Sequence, residues 1–101
     1  MFAALEPQPH ELDIVKHRVS PFYGTSLEPI LHALGTTQIY MTGVSTNGVV
    51  HTGVREGHDR DYARVVEDCC AGASGEEHQN AISCMQRFAQ IQTAGEVSFA
   101  A

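Results

Sequence analysis

The sequence has no tryptophan, only three cysteines, and half as many basic as acidic side chains, six against twelve. With a formal charge of −6, the shortage of Lys and Arg excludes non-specific binding to nucleic acid or an anionic membrane surface. No apolar run approaches the ~18 residues of a membrane span. The opening MFAALEPQPHEL lacks both the basic segment and the long apolar stretch of a secretory signal. Adjacent Cys69 and Cys70 with a lone Cys84 make an odd count without metal-knuckle spacing, which points to a reducing, cytoplasmic setting. His10, His17, His32, His51, His58 and His78 form no i, i+4 or His-x-His chelate, so no metal and no cofactor is expected. His51 and His58 stand seven apart, which places them on a shared helix face that solvation explains.

What is present suits one small domain of 101 residues, 43% of them hydrophobic. Residues 1–12 carry Pro7 and Pro9 among polar neighbours and read as irregular, leaving 13–101 as the folded part. Asp13-Ile14-Val15-Lys16 has the β-branched centre of a short strand. Thr25 and Glu28 have the spacing of a capping box, opening a helix whose Leu27, Ile30, Leu31 and Leu34 share one face, with Gly35 as its stop. Gln38 to Thr42 reads as a strand buried on both faces. A turn from Gly43 to Gly48 then leads into a helix from about Asn47 to His58. Gly48, Gly53 and Gly57 weaken that helix by about 1 kcal/mol each relative to Ala. Asp59-Arg60-Asp61 is its exit. Ala63 to Asp68 is the next strand, Ala71 to Gly75 a small-residue turn, and Ser74 with Glu77 a second capping box. The following helix buries Ala81, Ile82, Met85 and Phe88. Ile91-Gln92-Thr93 and Val97-Ser98-Phe99 close the chain as a short strand or extended tail.

Strands alternating with helices across short connections imply an α/β fold with a parallel sheet. Ligands collect at the carboxyl ends of such strands. Those ends are Lys16 to Phe22, Thr42 to Asn47 and Glu67 to Gly72. In the middle one, Gly43-Val44-Ser45-Thr46-Asn47-Gly48 turns from strand to helix, so backbone N–H groups at a helix start can hold an oxyanion or carboxylate. An ordinary Gly-rich turn with an Asn cap has the same spacing.

The chain also resembles the isochorismatase-like hydrolases, in five motifs that follow in order. Lys16 with Ser20-Pro21-Phe22-Tyr23-Gly24-Thr25-Ser26-Leu27 matches that family's strand Lys and Ser/Ala-Phe-x-Gly-Thr-x-Leu. Thr42-Gly43-Val44-Ser45-Thr46-Asn47-Gly48-Val49-Val50 matches Thr-Gly-Val-x-Thr-Asn-x-Cys-Val. Asp59-Arg60-Asp61-Tyr62, Val66-Glu67-Asp68-Cys69-Cys70-Ala71 and Glu76-Glu77-His78 complete the series.

The resemblance implies a three-layer α/β/α, Rossmann-type domain, truncated at its N-terminal side, that hydrolyses small amides or a vinyl ether and assembles as a homo-oligomer. It implies a triad of Asp, Lys and Cys, a cis peptide at Val44-Ser45, and no metal in this half. Lys16 is then the catalytic lysine. Phe22, Val44, Ser45, Thr46, Asn47, Gly48 and Val49 line the site of a small-molecule substrate, with Tyr23 as a further wall. Two departures stand out. Val49 occupies the nucleophile position, and no residue matches the Asp, since Asp13 lies only three residues before Lys16. Cys69 and Cys70 fall at the end of another strand and read as inert core thiols. The domain is therefore expected to be impaired or inactive, or alternatively to serve as a non-catalytic oligomerisation module.

Overall fold

In a computed structural model, which describes residues 6–98, the first regular element is helix α1, Leu27–Ala33. Gly35 follows at φ +66, a left-handed conformation that suits glycine after a helix end. The capping box expected at its start does not form. Thr25 Oγ1 instead donates to Pro21 O at 2.7 Å and accepts from Leu27 N at 3.2 Å. Glu28 is drawn away to Arg60 and His32, each at 3.1 Å. Leu34 lies past the helix end and is exposed, so the buried face reduces to Leu31 with Leu27 against it.

Strands β1 (Ile39–Val44), β2 (Ala63–Ala71) and β3 (Gln90–Gln92) form a parallel sheet in the order β1-β2-β3. Helix α2 (His51–Asp59) joins the first two strands and α3 (Gly75–Met85) the second two. The expected strand at Asp13–Lys16 is absent. Those residues find no ladder partner among the described residues, and Val15 is exposed; a strand exists only by pairing. Burial of β1 on both faces is also not found, because β1 lies at the edge of the described sheet with Thr42 and Val44 exposed. β2 runs three residues beyond Asp68. The tail forms only the short β3 and a 3₁₀ turn, Ala94–Glu96; Phe99 lies outside the described residues.

The main core gathers Val50, just before α2, Val54 from α2, Val65 from β2, and Ala81, Ile82 and Met85 from α3, all nearly inaccessible. Ala81, Ile82 and Met85 form the stripe the α3 periodicity predicts, whereas Phe88, expected with them, lies past the helix end and is only partly buried against the core. Ser74 caps that helix by accepting from Glu77 N at 3.1 Å. A second cluster joins Phe22, Leu31 and Tyr62. Gly53 explains why a glycine-rich α2 is tolerated. A Cβ there would lie 2.4 Å from Met41 Cε and 3.0 Å from Pro21 Cγ, so the bare backbone lets the helix pack closely on β1 and the Pro21 turn without displacing either side chain. Asp61, at φ 67, lets the chain leave α2 and enter β2.

Candidate functional site

β1 ends in a sharply formed turn. Gly43 has φ +127, outside the range of ordinary side-chain-bearing residues, and the Val44–Ser45 peptide bond is cis. A single π-helical turn, Thr46–Val50, then feeds directly into α2. Ser45 C=O closes this turn by accepting from Gly48 N at 3.1 Å and Val50 N at 3.3 Å. Those two amides are committed inside the turn. Gly48 also has a steric role, since a Cβ would sit 2.8 Å from Ser45 Oγ.

The seven expected substrate-binding residues separate by environment. Val44 is exposed, Asn47 is exposed, and Ser45, Gly48 and Val49 are half-buried. Val49 packs its isopropyl group against the main core. Thr46 is completely buried, and its Oγ1 lies 2.7 Å from His78 Nδ1. Phe22 belongs to the second core cluster, with the Arg60 guanidinium 4.7 Å from its ring centroid, so it is a packing residue in this structure. Tyr23 is exposed. Lys16 is exposed as well, and its ammonium donates to Arg18 O at 2.7 Å and Val19 O at 3.2 Å, wrapping its own loop. Immediately after that loop, buried Ser20 donates to Glu56 of α2 and accepts from the Phe22 and Tyr23 amides, each at 3.0 Å. Glu56 thus moors the Lys16 segment to the helix that starts at the turn.

β2 contributes the other wall. Met41 pairs with Val65 but Gly43 with Cys70, so a step of two residues on β1 answers a step of five on β2. This bulge lets the Cys70 thiol donate back to Val66 O at 3.3 Å. Burial pushes the Cys70 thiol up, against a smaller opposing effect of its hydrogen bond at Gly43; neighbouring Cys69 and Asp68 raise it further. Burial thus works against a thiolate at Cys70, which packs against the core. Beyond it, Cys70 to Gly75 and His78 border an open cleft of about 410 Å³ at the carboxyl end of β2. Asn47 borders a smaller one, about 240 Å³, with His51, Glu77, Asn80 and Cys84.

His78 joins the β1 and β2 strand-end turns. In the sequence it is visible only as part of a helix-start motif. The Ser74 cap, which fixes where α3 begins and so places His78 in the first turn, is the signal that could have singled it out. Among the described residues no group of three or more His, Cys, Asp or Glu could hold a metal, and no helix is long and apolar enough to cross a membrane.

Comparison with known proteins adds an independent line. The family model of the isochorismatase domain matches residues 1–96. An uncharacterized isochorismatase family protein, YecD of Escherichia coli O157:H7, is 34% identical over 94% of this chain and 52% of its own length. The ureidoacrylate amidohydrolase RutB of Methylobacterium radiotolerans is 34% identical over 84% of this chain and 34% of its own. Among solved structures, an isochorismatase-like hydrolase from Alkaliphilus metalliredigens superposes with TM-score 0.91 and 26% identity, covering 94% of this chain and 53% of that one. An isochorismatase family protein from Burkholderia thailandensis gives TM-score 0.89 at 32% identity, over 93% and 50%. The chain spans about half the length of these relatives, or less.

Proposed function

Because the chain belongs to the isochorismatase family of hydrolases, we propose that it binds a small amide or vinyl ether at the Val44–Val49 turn and does not cleave it through a thioester. Val49 carries this reading. A covalent route needs a thiolate at the start of the helix that follows the turn, and an isopropyl group packed on the core has no lone pair to offer. No described thiol replaces it, since Cys70 is held protonated by burial and Cys69 and Cys84 are exposed on β2 and α3. Lys16 supplies a positive charge on the loop moored by Glu56, suited to a substrate's polar head once its own carbonyl contacts are exchanged. The amidohydrolase relatives support a small amide as the ligand class.

The test pairs backbone amide shift mapping with an ammonia-release assay, using nicotinamide and maleamate. Shifts at Ser45 to Val49 without ammonia release are expected. Turnover of either amide, or no response of the turn, overturns the reading.

A second reading, a non-catalytic homo-oligomerising module, is favoured by one observation. β1 is an edge strand of the described sheet, and Leu12, Val15, Val19 and Val44 are exposed at 58–75%. Sedimentation velocity across a concentration series tests it: a dimer weakened by Val44→Asp supports it, and a monomer throughout contradicts it.

A further inference from the structure

The reading of the turn leaves His78 without a task, yet the geometry around it is specific. Thr46 Oγ1 is fully buried, and its sole hydrogen-bond partner among the described residues is His78 Nδ1, at 2.7 Å. A buried hydroxyl proton with no acceptor is costly. Thr46 therefore donates to Nδ1, which places the ring proton on Nε2. Nε2 has no partner among the described residues, and His78 borders the open cleft formed by Cys70 to Gly75. The remainder of that lining is small: Ala71, Gly72, Ala73, Ser74 and Gly75. Gly72 packs closely there, since a Cβ would come within 3.3 Å of His78 N.

We infer that His78 is a ligand-binding residue whose Nε2–H donates to an uncharged carbonyl oxygen in this cleft, and that Thr46 is the positioning residue that fixes its tautomer. The inference rests on the reading that the chain binds a small amide, and adds a donor and a pocket beside the turn. Val44 and Ala71 are register partners, so the cleft adjoins the turn across the sheet. A carboxylate would make the stronger single bond. Here it would enter beside Glu76 and Glu77, which already occupy the first turn of α3, on a chain of net charge −6. The repulsion favours the neutral acceptor.

Benzamide and benzoate, alike in shape and different in charge, are the probes. Long-range ¹H–¹⁵N spectra of the imidazoles report the tautomer, and backbone amide shifts map the binding. The wild type is expected to show the Nε2–H tautomer, with benzamide shifting His78 and Ala71 to Gly75, and benzoate binding about tenfold more weakly. Gly75→Leu fills the cleft from a position where a Cβ meets nothing within 4 Å, and is expected to abolish the response while retaining the fold. His78→Phe should remove it and His78→Gln, which keeps an N–H donor, should restore part. Thr46→Val should mix the tautomers and Thr46→Ser should recover the single form.

No benzamide response at the cleft, a response that survives Gly75→Leu, an Nδ1–H tautomer, or equal binding of benzoate overturns the inference. Shifts confined to Val44–Val49 remove His78 and leave the proposed function standing. Ammonia release strikes the proposed function and leaves the cleft assignment intact.

Discussion

The Thr46 hydroxyl and His78 Nδ1, 2.7 Å apart, tie the turn after β1 to the first turn of α3. The two residues are 32 positions apart in sequence and come from different strand-to-helix connections. Their bond spans the mouth of the sheet at the end where ligands of parallel α/β folds collect. Thr46→Val keeps the shape and deletes the hydroxyl. It is expected to cost about 1 kcal/mol, measured as a lowered urea midpoint with unchanged slope. A variant as stable as the wild type contradicts the bond's importance.

His51 gives a pH prediction. Burial, and secondarily the nearby Arg55 charge, hold its pKa below the ordinary 6.5. The Arg55 guanidinium donates to His51 Nε2 at 3.0 Å, which requires an unprotonated acceptor. The folded pKa is depressed, so the unfolded chain takes up the proton first. Its contribution to stability is complete above pH 6.5 and is lost as pH falls through the folded pKa. Urea midpoints should decline on acidification below 6.5, and His51→Gln should flatten that decline.

Thiol reactivity should follow environment. Cys70 is half-buried with a raised pKa, while Cys69 and Cys84 are exposed. Peptide mass spectrometry after brief iodoacetamide treatment at mildly alkaline pH should find Cys70 the least labelled of the three. Preferential labelling of Cys70 would mean a reactive thiol at the site.

Gly53→Ala sets two effects against each other. Helix propensity favours Ala by about 1 kcal/mol. The new methyl would displace Met41 Cε and press on the Pro21 ring, and such overpacking costs about 1–3 kcal/mol. A net loss of stability is expected in urea denaturation; a gain would show that the Met41 end simply moves aside.

The elements with strong periodicity were legible in the sequence. Ala81, Ile82 and Met85 of α3, the Ser74 cap, and the succession of β1, α2 and β2 stand where the residues put them, although β1 runs on through Val44 into the expected Gly43–Gly48 turn and Phe88 falls past the end of α3. Features set by tertiary partners were not. Asp13–Lys16 has strand composition but no ladder to join among the described residues, and Glu28 leaves its capping role because Arg60 comes within reach from just past the end of α2. The β2 bulge is a property of register, which local sequence does not encode. Phe22 takes its expected site role from the resemblance of the Ser20–Leu27 motif, while its burial with Leu31 and Tyr62 depends on tertiary contacts that local sequence does not encode. Thr46 was legible as part of the turn, but the His78 bond that gives it a purpose needs both turns folded together.

Intact-protein mass spectrometry of wild type and Val49→Cys, each incubated with nicotinamide or maleamate, tests the central claim most directly. Wild type is expected to keep an unmodified mass under all conditions, with any acyl adduct confined to the variant and mapped to residue 49. A substrate-derived adduct on the wild-type chain, at any residue, would show that a covalent route exists without the cysteine and would contradict the account.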